Sequence, residues 1–327
     1  MASVVEIIFL GTGTSSSVPT VSCLTDPKKS CPVCLSSQTP EGRKNNRRNT
    51  SMVVRFRKHS DPPEFRLRKE IYRNVLIDCG KTFYTSAIEI LPKYGIRELD
   101  GVIITHGHAD ACYGMDDLRG WTLGGIIQPH INVHLSYEAM EVIGRTFPFL
   151  VDSSMATGGG EVAAFKYHIF DPSKSFTIEG LEFTPLAVHH GIYLTTKEPY
   201  ICFGFRFGDV SYISDTNFIP PTTMELIQGK SRVFVVDCLR LKNPHASHFA
   251  LEQSIEASRQ VKASKSYYVG FAHRTDHYAL ENDLKKLEIS EGLKAAPAYD
   301  GLKVSLANEG ELVESSYFEP MPIIVKE

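Results

Sequence analysis

The hexapeptide Thr105-His106-Gly107-His108-Ala109-Asp110 stands directly behind the apolar run Gly101–Ile104. A run of that kind reads as a buried strand, so the hexapeptide falls where a strand frays into a loop. Two imidazoles one residue apart at such an end can turn toward one point. The carboxylate two residues later can reach a second point close by. Imidazole and carboxylate are the donors that zinc and related divalent metals take. Alone, the segment reads equally well as a pair of surface histidines after a strand.

The same arrangement recurs down the chain. Val188-His189-His190-Gly191 follows Leu181–Ala187, Ser214-Asp215-Thr216 follows Val210–Ile213, and Phe271-Ala272-His273 follows Tyr267–Gly270. A single acid or histidine behind a strand usually caps a helix or a turn. Four strand ends that each deliver a metal-type donor are hard to explain as caps. Val233–Val236 also ends in an acid, Asp237, to which a supporting role behind the ligands is given.

Between these ends, short apolar runs alternate with stretches of helical spacing. Val4–Leu10, Ser51–Phe56, Val75–Ile77, Val102–Thr105, Ile131–Leu135, Ile201–Arg206, Tyr212–Ser214, Val233–Asp237 and Tyr267–Phe271 read as strands. Thr82–Leu91, Tyr137–Phe147, Leu251–Val261 and Tyr278–Leu287 read as helices, with Ser136 and Asp276 or His277 as caps. Such interleaving predicts an α/β or α+β sandwich. Thr39–Asn49, Lys58–Pro63 and Met155–Gly160 read as loops, none long enough to link two domains. One domain over residues 1–327 is expected.

The 327 residues are 42% hydrophobic and 22% charged, which excludes a disordered chain. No apolar run approaches the ~20 residues that a membrane helix needs. Met1–Glu6 lacks a basic lead-in, so no signal peptide is expected. A formal net charge of −3 gives no general attraction to nucleic acid or anionic membrane. Seven cysteines, an odd number without a regular framework, point to a reducing compartment, cytoplasmic or else nuclear.

At this point the chain resembles a known family. The ordered set His-x-His-x-Asp, His, Asp, His, opened by Phe9-Leu10-Gly11-Thr12-Gly13-Thr14-Ser15, is similar to the metallo-β-lactamase superfamily. Ile77-Asp78-Cys79-Gly80 matches that superfamily's early Asp-x-Gly strand end. Pro297-Ala298-Tyr299-Asp300-Gly301 resembles its phosphoribosyl cyclic phosphate phosphodiesterase branch. The resemblance implies a single αββα sandwich with two divalent metal ions, zinc or manganese. One would be held by His106, His108 and His190 with Asp215 bridging, and the other by Asp110, Asp215 and His273. His190 is chosen over His189 because the family's histidine precedes a small residue, here Gly191. The family usually carries a further histidine where this chain has Ala111, which leaves the second site one ligand short. Asp116 or Asp117 could compensate, or could be solvated carboxylates on a helix.

Cys23, Cys31 and Cys34 lie close together, the last two as Cys-Pro-Val-Cys. Three thiols in a reducing compartment suggest a structural zinc, and His277 is the candidate fourth ligand. The same phosphodiesterase branch carries a comparable cluster closed by a late histidine. Buried free thiols or a redox pair are the alternatives. Cys79, Cys112, Cys202 and Cys238 read as core residues.

Two metals about 3.5–4 Å apart acidify a shared water and hold phosphoryl oxygens as charge develops. The expected activity is therefore metal-dependent hydrolysis, with a small cyclic or nucleotide-like phosphodiester as substrate. Asp110 and His248 are the expected catalytic residues. His248 stands where the superfamily's phosphodiesterases place a non-ligand histidine that protonates the leaving group, with His245 its competitor. A transfer-RNA-processing endonuclease is the rival enzyme, drawing on the basic run Gly42–Arg48, which otherwise reads as a solvated loop. A non-catalytic metal- or cofactor-binding module is the rival from another class, and Ala111 keeps it open. A second copy of the chain is a candidate partner, and nucleic acid is the weaker one.

Overall fold

The computed structural model describes residues 2–62, 72–159, 161–306 and 312–318. Pro63 and Gly160, which close two of the expected loops, lie outside the described residues. In chain order the strands are β1 (Ala2–Gly11), β2 (Ser51–Lys58), β3 (Arg73–Ile77), β4 (Gly101–Ile104), β5 (Ile131–Leu135) and β6 (Phe165–Ile169). Then come β7 (Phe176–Ile178), β8 (Leu181–Ile192), β9 (Pro199–Phe207), β10 (Val210–Ile213), β11 (Val233–Asp237), β12 (Lys265–Val269), β13 (Ala295–Pro297), β14 (Leu302–Ser305) and β15 (Val313–Ser316). They form two sheets, ordered β15-β14-β1-β2-β3-β4-β5-β6 and β13-β12-β11-β10-β9-β8-β7.

Period-two alternation explains the layers. In β1, Ile7 and Phe9 enter the core between the sheets, where they meet Phe205, Val235 and Tyr267. Their neighbours Ile8 and Leu10 turn to the outer face and pack under Phe83, Ile90, Leu118 and Ile143. All four side chains are fully buried. A strand covered on both faces must read as a continuous apolar run. The second sheet repeats the logic, with Phe234 and Val236 of β11 packed against Ile255, Val261, Leu280 and Leu284. The layers are therefore helix, sheet, sheet, helix, the αββα arrangement expected.

Helices Phe83–Ile90, Tyr137–Thr146, Leu251–Val261 and His277–Glu291 occupy the expected stretches. Ser136 caps the second through the Ala139 N–H, and Asp276 caps the last through the Ala279 N–H. The short strands β6, β7, β13, β14 and β15, at or next to the sheet margins, are not visible in the sequence, because three to five residues carry little periodicity.

Within the first sheet β3 to β6 run parallel, and within the second β10 to β13 do. The carboxyl ends of parallel strands are where open α/β sheets gather functional side chains. A backbone link joins the sheets at this edge, the Gly270 N–H donating to the Thr12 carbonyl at 2.9 Å.

In the basic run Gly42–Arg48, Arg43 is exposed over the Phe318 ring, and the other three cations correct the expectation of a solvated loop. Arg47 is fully buried, donating to Asn45 Oδ1 at 3.1 Å and the Ala272 carbonyl at 3.4 Å, with its guanidinium over the Phe271 ring. Arg48 pairs with Glu89, while its backbone N–H donates to Asp300 at 2.8 Å. Lys44 faces Glu281 at 3.8 Å and lies over Tyr299. Paired and buried cations of this kind bind the fold to itself and leave little for a phosphate backbone. Asp300 also accepts from the Thr12 hydroxyl at 2.8 Å, so the Ala298-Tyr299-Asp300-Gly301 segment clamps the end of β1.

Candidate metal centre

Three imidazoles converge at the end of β4. His106, His108 and His190 each offer a ring nitrogen, and those atoms all lie within 4.8 Å of one another. A second group, His190, Asp215 and His248, meets the same limit.

The orientation of each ring has an identifiable cause. The Thr105 backbone N–H and hydroxyl both donate to Asp78, at 2.9 and 2.8 Å. That hydroxyl oxygen can then accept from His106 Nδ1–H, 2.8 Å away. The tautomer is thereby set, with the bare Nε2 facing the cluster. His106 Nε2 is buried and has no hydrogen-bond partner. His190 Nδ1 donates to the Ser247 carbonyl at 2.7 Å, which likewise leaves Nε2 bare. That atom lies 3.1 Å from His108 Nδ1. His108 itself stacks on Tyr200 at 4.8 Å between centroids, and the Tyr200 hydroxyl accepts from the Gly107 N–H.

These observations fit a cation. An orphaned buried nitrogen and two further imidazole nitrogens aimed at one point make a donor set. Burial pushes His106 well below its ordinary pKa, so it stays the neutral base a metal needs. Burial would raise Asp215, but His106, His190 and His248 outweigh it and hold the carboxylate at about 2.

The Asp-x-Gly strand end has two separate duties. Asp78 orients Thr105, as above. Gly80 lets the backbone pass Asp110: a Cβ there would lie 1.8 Å from the Asp110 carbonyl oxygen. No side chain fits that approach. Asp110 follows on the one-turn helix Ala109–Cys112, largely buried, and burial with Asp215 nearby raises its carboxyl above the usual range.

His190 sits inside β8, not beyond its end as expected. The pairing of β8 with β9 is irregular between His189 and Ile192, and Gly191 has φ of 85°. The irregularity lets His190 turn into the cluster while His189 packs on Phe218.

His248 Nδ1 donates to Asp237 Oδ2 at 2.8 Å and lies 3.9 Å from Asp215. Burial alone would lower its pKa, but Asp237 and then Asp215 and Asp110 outweigh that and hold it at about 9. His245 faces Ser247, at 3.1 Å from its hydroxyl. Both histidines ride one loop, whose base is closed by a bridge between Arg240 and Ala250.

Two expectations need correction. His273, read as a ligand of the second active-site metal, turns to the thiols instead. Its Nδ1 lies 3.3 Å from Cys23 Sγ and 3.5 Å from Cys31 Sγ, and with Cys34 these form one four-donor group within 4.8 Å. His277, read as the fourth ligand of that group, is absent from it. It is fully buried at the start of the last helix, edge-on to Tyr278 and Tyr299, and neither ring nitrogen has a partner. The reason is the turn after β12: residue 273 comes first off the strand beside Cys31, which itself approaches the His273 carbonyl at 3.7 Å. Three sulfurs and one nitrogen are the donors of a structural zinc site.

Nor do Asp116 and Asp117 compensate for Ala111. Asp116 faces Arg119 at 3.9 Å, and Asp117 borders an apolar groove with Phe83 and Trp121. Ala111 is buried in the core, its carbonyl accepting from the Cys79 N–H.

Sequence reasoning missed Thr105, Tyr200, Ser247 and Cys202, whose Sγ lies 3.5 Å from His106 Nδ1. Only Thr105, next to the first histidine, had a signal of position. The others come from segments distant in the chain.

Among solved structures, the fold matches a diphosphatase of the PhnP family with a TM-score of 0.72 and 24% identity, over 97% of this chain and all of that one. It also matches the short form of human tRNase Z with a TM-score of 0.58 and 14% identity, over 92% and 99%. A curated relative, an octanoyltransferase of Porphyromonas gingivalis (strain ATCC BAA-308 / W83), is 25% identical over 315 residues. The match takes in 96% of this chain and 54% of that protein, so the chain spans about half the length of the curated relative it matches. Residues 73–271, more than half the chain and all the way from β3 to the end of β12, match the family described as the beta-lactamase superfamily domain. With the αββα layers and the imidazole cluster at the strand ends, that match shows that the chain belongs to the metallo-β-lactamase superfamily.

Proposed function

We propose that the chain is a metal-dependent hydrolase that cleaves a small cyclic or nucleotide-like phosphodiester. The observation that carries this reading is the pairing of a three-imidazole donor set with a carboxylate-backed histidine beside it. His106, His108 and His190 would hold one divalent cation, with Asp215 alongside. Bound there, a cation supplies Lewis acidity toward phosphoryl oxygens and acidifies water. With Ala111 in the core and His273 among the thiols, Asp110 and Asp215 are left as the donors for any second cation, which is expected to bind weakly.

His248 is the proton donor in this reading. Asp237 accepts from Nδ1–H, fixes the ring and favours the imidazolium. Nε2–H is then the proton available to a departing alkoxide. Burial and then Asp215 raise the Asp110 carboxyl above its ordinary range, and Asp110 is the proton acceptor on the attacking side in this reading. Cys23, Cys31, Cys34 and His273 would hold a structural zinc that ties the N-terminal loop to the turn after β12.

The names diphosphatase, tRNase Z and octanoyltransferase belong to the other proteins, and they set the substrates to compare. The purified chain, with its metal content measured and Mn²⁺ or Zn²⁺ supplied, is assayed on bis(p-nitrophenyl) phosphate, a cyclic ribose phosphodiester, precursor transfer RNA and an octanoyl thioester. Turnover of the small diesters above the other two supports the proposal. A metal-loaded chain that turns over neither small diester overturns it.

A further inference from the structure

β8 brings His190 and β9 brings Tyr200 to the imidazole cluster, and the hairpin that joins them runs on beyond both. Ile192 pairs with Pro199, and residues 193–198 between them are all exposed. This tip is nevertheless held. The Tyr193 N–H donates to the Glu198 carbonyl at 2.9 Å, and the Lys197 N–H to the Tyr193 carbonyl at 2.8 Å. Both backbone groups of Tyr193 are thereby spent, which fixes where its side chain leaves the hairpin. At the hairpin's base, a Cβ on Gly191 would lie 3.1 Å from that of Ser247. The hairpin is thus packed on the loop that carries His248.

Side chains alternate along β9, so Tyr200 and Cys202 turn to the imidazoles while Ile201 does not. The Tyr200 ring lies 4.8 Å from His108 and 6.2 Å from both His106 and His190, between centroids. Tyr193 meets Tyr200 edge to face, at 5.3 Å with the planes 81° apart. A single ring therefore separates Tyr193 from the metal donors. That one contact leaves 44% of Tyr193 exposed, with Ile192 and Leu194 exposed beside it. Turns favour glycine, asparagine and serine, so three neighbouring exposed apolar side chains mark a contact surface. A supported aromatic ring next to a phosphoryl-binding centre suits a flat heterocycle. Every nucleobase has a π-face, and a ring already held in place loses little freedom on binding.

We propose that Tyr193 is a stacking surface for a nucleobase of the substrate, with Tyr200 behind it. The preferred substrate is then a phosphodiester of a nucleoside rather than of a bare sugar. The inference rests on the phosphodiesterase reading above, and its test separates the two. Adenosine 2′,3′-cyclic phosphate and the cyclic phosphate of methyl riboside present the same reacting group and differ only in the base. Both are offered to the full metal-loaded chain. Wild type should favour the adenosine compound in kcat/KM. In Tyr193→Ala that preference should fall by about fivefold or more, the least that a base stacked on an aromatic ring is worth. Tyr193→Phe, which keeps the ring, and Leu194→Ala should each retain it. No preference in wild type, or an unchanged ratio in Tyr193→Ala, overturns the proposal. A fall in Tyr193→Phe or Leu194→Ala as large as in Tyr193→Ala overturns it too, because stacking needs the ring alone.

Binding of adenosine 5′-monophosphate and of ribose 5-phosphate, followed by calorimetry, gives an arm that needs no turnover. Suppose that neither cyclic ester is cleaved, yet wild type binds the adenosine compound about fivefold or more tighter. If Tyr193→Ala removes that difference, the stacking surface stands and the diesterase reading falls. Equal binding of the two by wild type, again without turnover, overturns the stacking surface. If Tyr193→Ala breaks up a dimer in sedimentation and leaves the base preference unchanged, the tip is a contact between copies and the proposal is overturned. Since Tyr193 is exposed, an unchanged melting temperature verifies that the variant is folded.

Discussion

The Asp78 carboxylate accepts twice from Thr105, from its backbone N–H at 2.9 Å and its hydroxyl at 2.8 Å. Because the hydroxyl proton is spent on Asp78, the Thr105 oxygen faces His106 as an acceptor. Asp78 therefore acts on the metal cluster without touching it. Asp78→Asn should weaken metal binding at the imidazole site by about 10–100-fold, the usual cost of a lost orienting partner. Equilibrium dialysis against a graded chelator measures this. Wild-type affinity in the variant would show that the Thr105 link does not orient His106.

Metal analysis counts the sites. After dialysis against a weak chelator, the purified chain should keep two tightly held ions, one at the thiols and one at the imidazoles. A third should appear only with added Mn²⁺ or Zn²⁺, with a rise in activity. Ala111→His should tighten that third ion, at a cost in stability, because Ala111 is buried. Three ions retained by wild type would contradict the assignment of His273 to the thiols.

Cys31→Ser and His273→Ala should each release about one equivalent of zinc and lower the melting temperature, by a loss on the order of several kcal/mol for so long a closed loop. His277→Leu should keep that zinc. Zinc lost from the His277 variant and retained by the His273 variant would reverse the two roles.

His277 also makes a prediction about pH. Burial, with Arg47 and Lys44 nearby, holds its imidazole well below 6.5, so the folded chain keeps it neutral. The unfolded chain takes up the proton near pH 6.5. The stability tied to this group is thus present above that pH and lost as pH falls, by up to about 1.4 kcal/mol per unit. His277→Leu removes an unpartnered buried polar ring and should leave stability at pH 7 unchanged or raised by about 1 kcal/mol. Urea unfolding at pH 7 and pH 5 should show wild type losing more than the variant. Parallel losses would mean that the ring is solvated or paired in the folded chain.

His248→Ala should retain its metals and lose about 10²–10⁴-fold on an unactivated sugar phosphodiester, but far less on a nitrophenyl diester, whose leaving group needs little protonation. Asp237→Asn removes the carboxylate that holds His248 at about 9, so the alkaline limb of the rate profile should move to lower pH. Loss of metal in His248→Ala would make the residue a ligand with Asp215 and His190. A selective loss in His245→Ala would move the proton donor from His248 to His245.

The sheets were legible because their strands are buried on both faces, and such strands must be written as unbroken apolar runs; Ile7-Ile8-Phe9-Leu10 is the plainest case. The cluster was legible for a similar reason. His106 and His108 are one residue apart, and Asp215 stands two positions behind the end of β10. What depends on a turn was not legible. His273 and His277 are both histidines of the same segment, and spacing alone favours neither. The choice is made by where the chain leaves β12 relative to Cys31.

The chain's own order of residues thus determined the two sheets, the imidazole pair behind β4 and the presence of three clustered thiols, since each is written within a few consecutive positions. Tertiary structure decided which histidine meets the thiols, that Asp237 lies under His248, and that Arg47 and Arg48 are spent inside the fold. It also decided that a single ring, Tyr200, separates Tyr193 from the imidazoles. Contacts between residues tens or hundreds of positions apart depend on how the two sheets pack, and no local pattern encodes the direction in which a side chain leaves a turn.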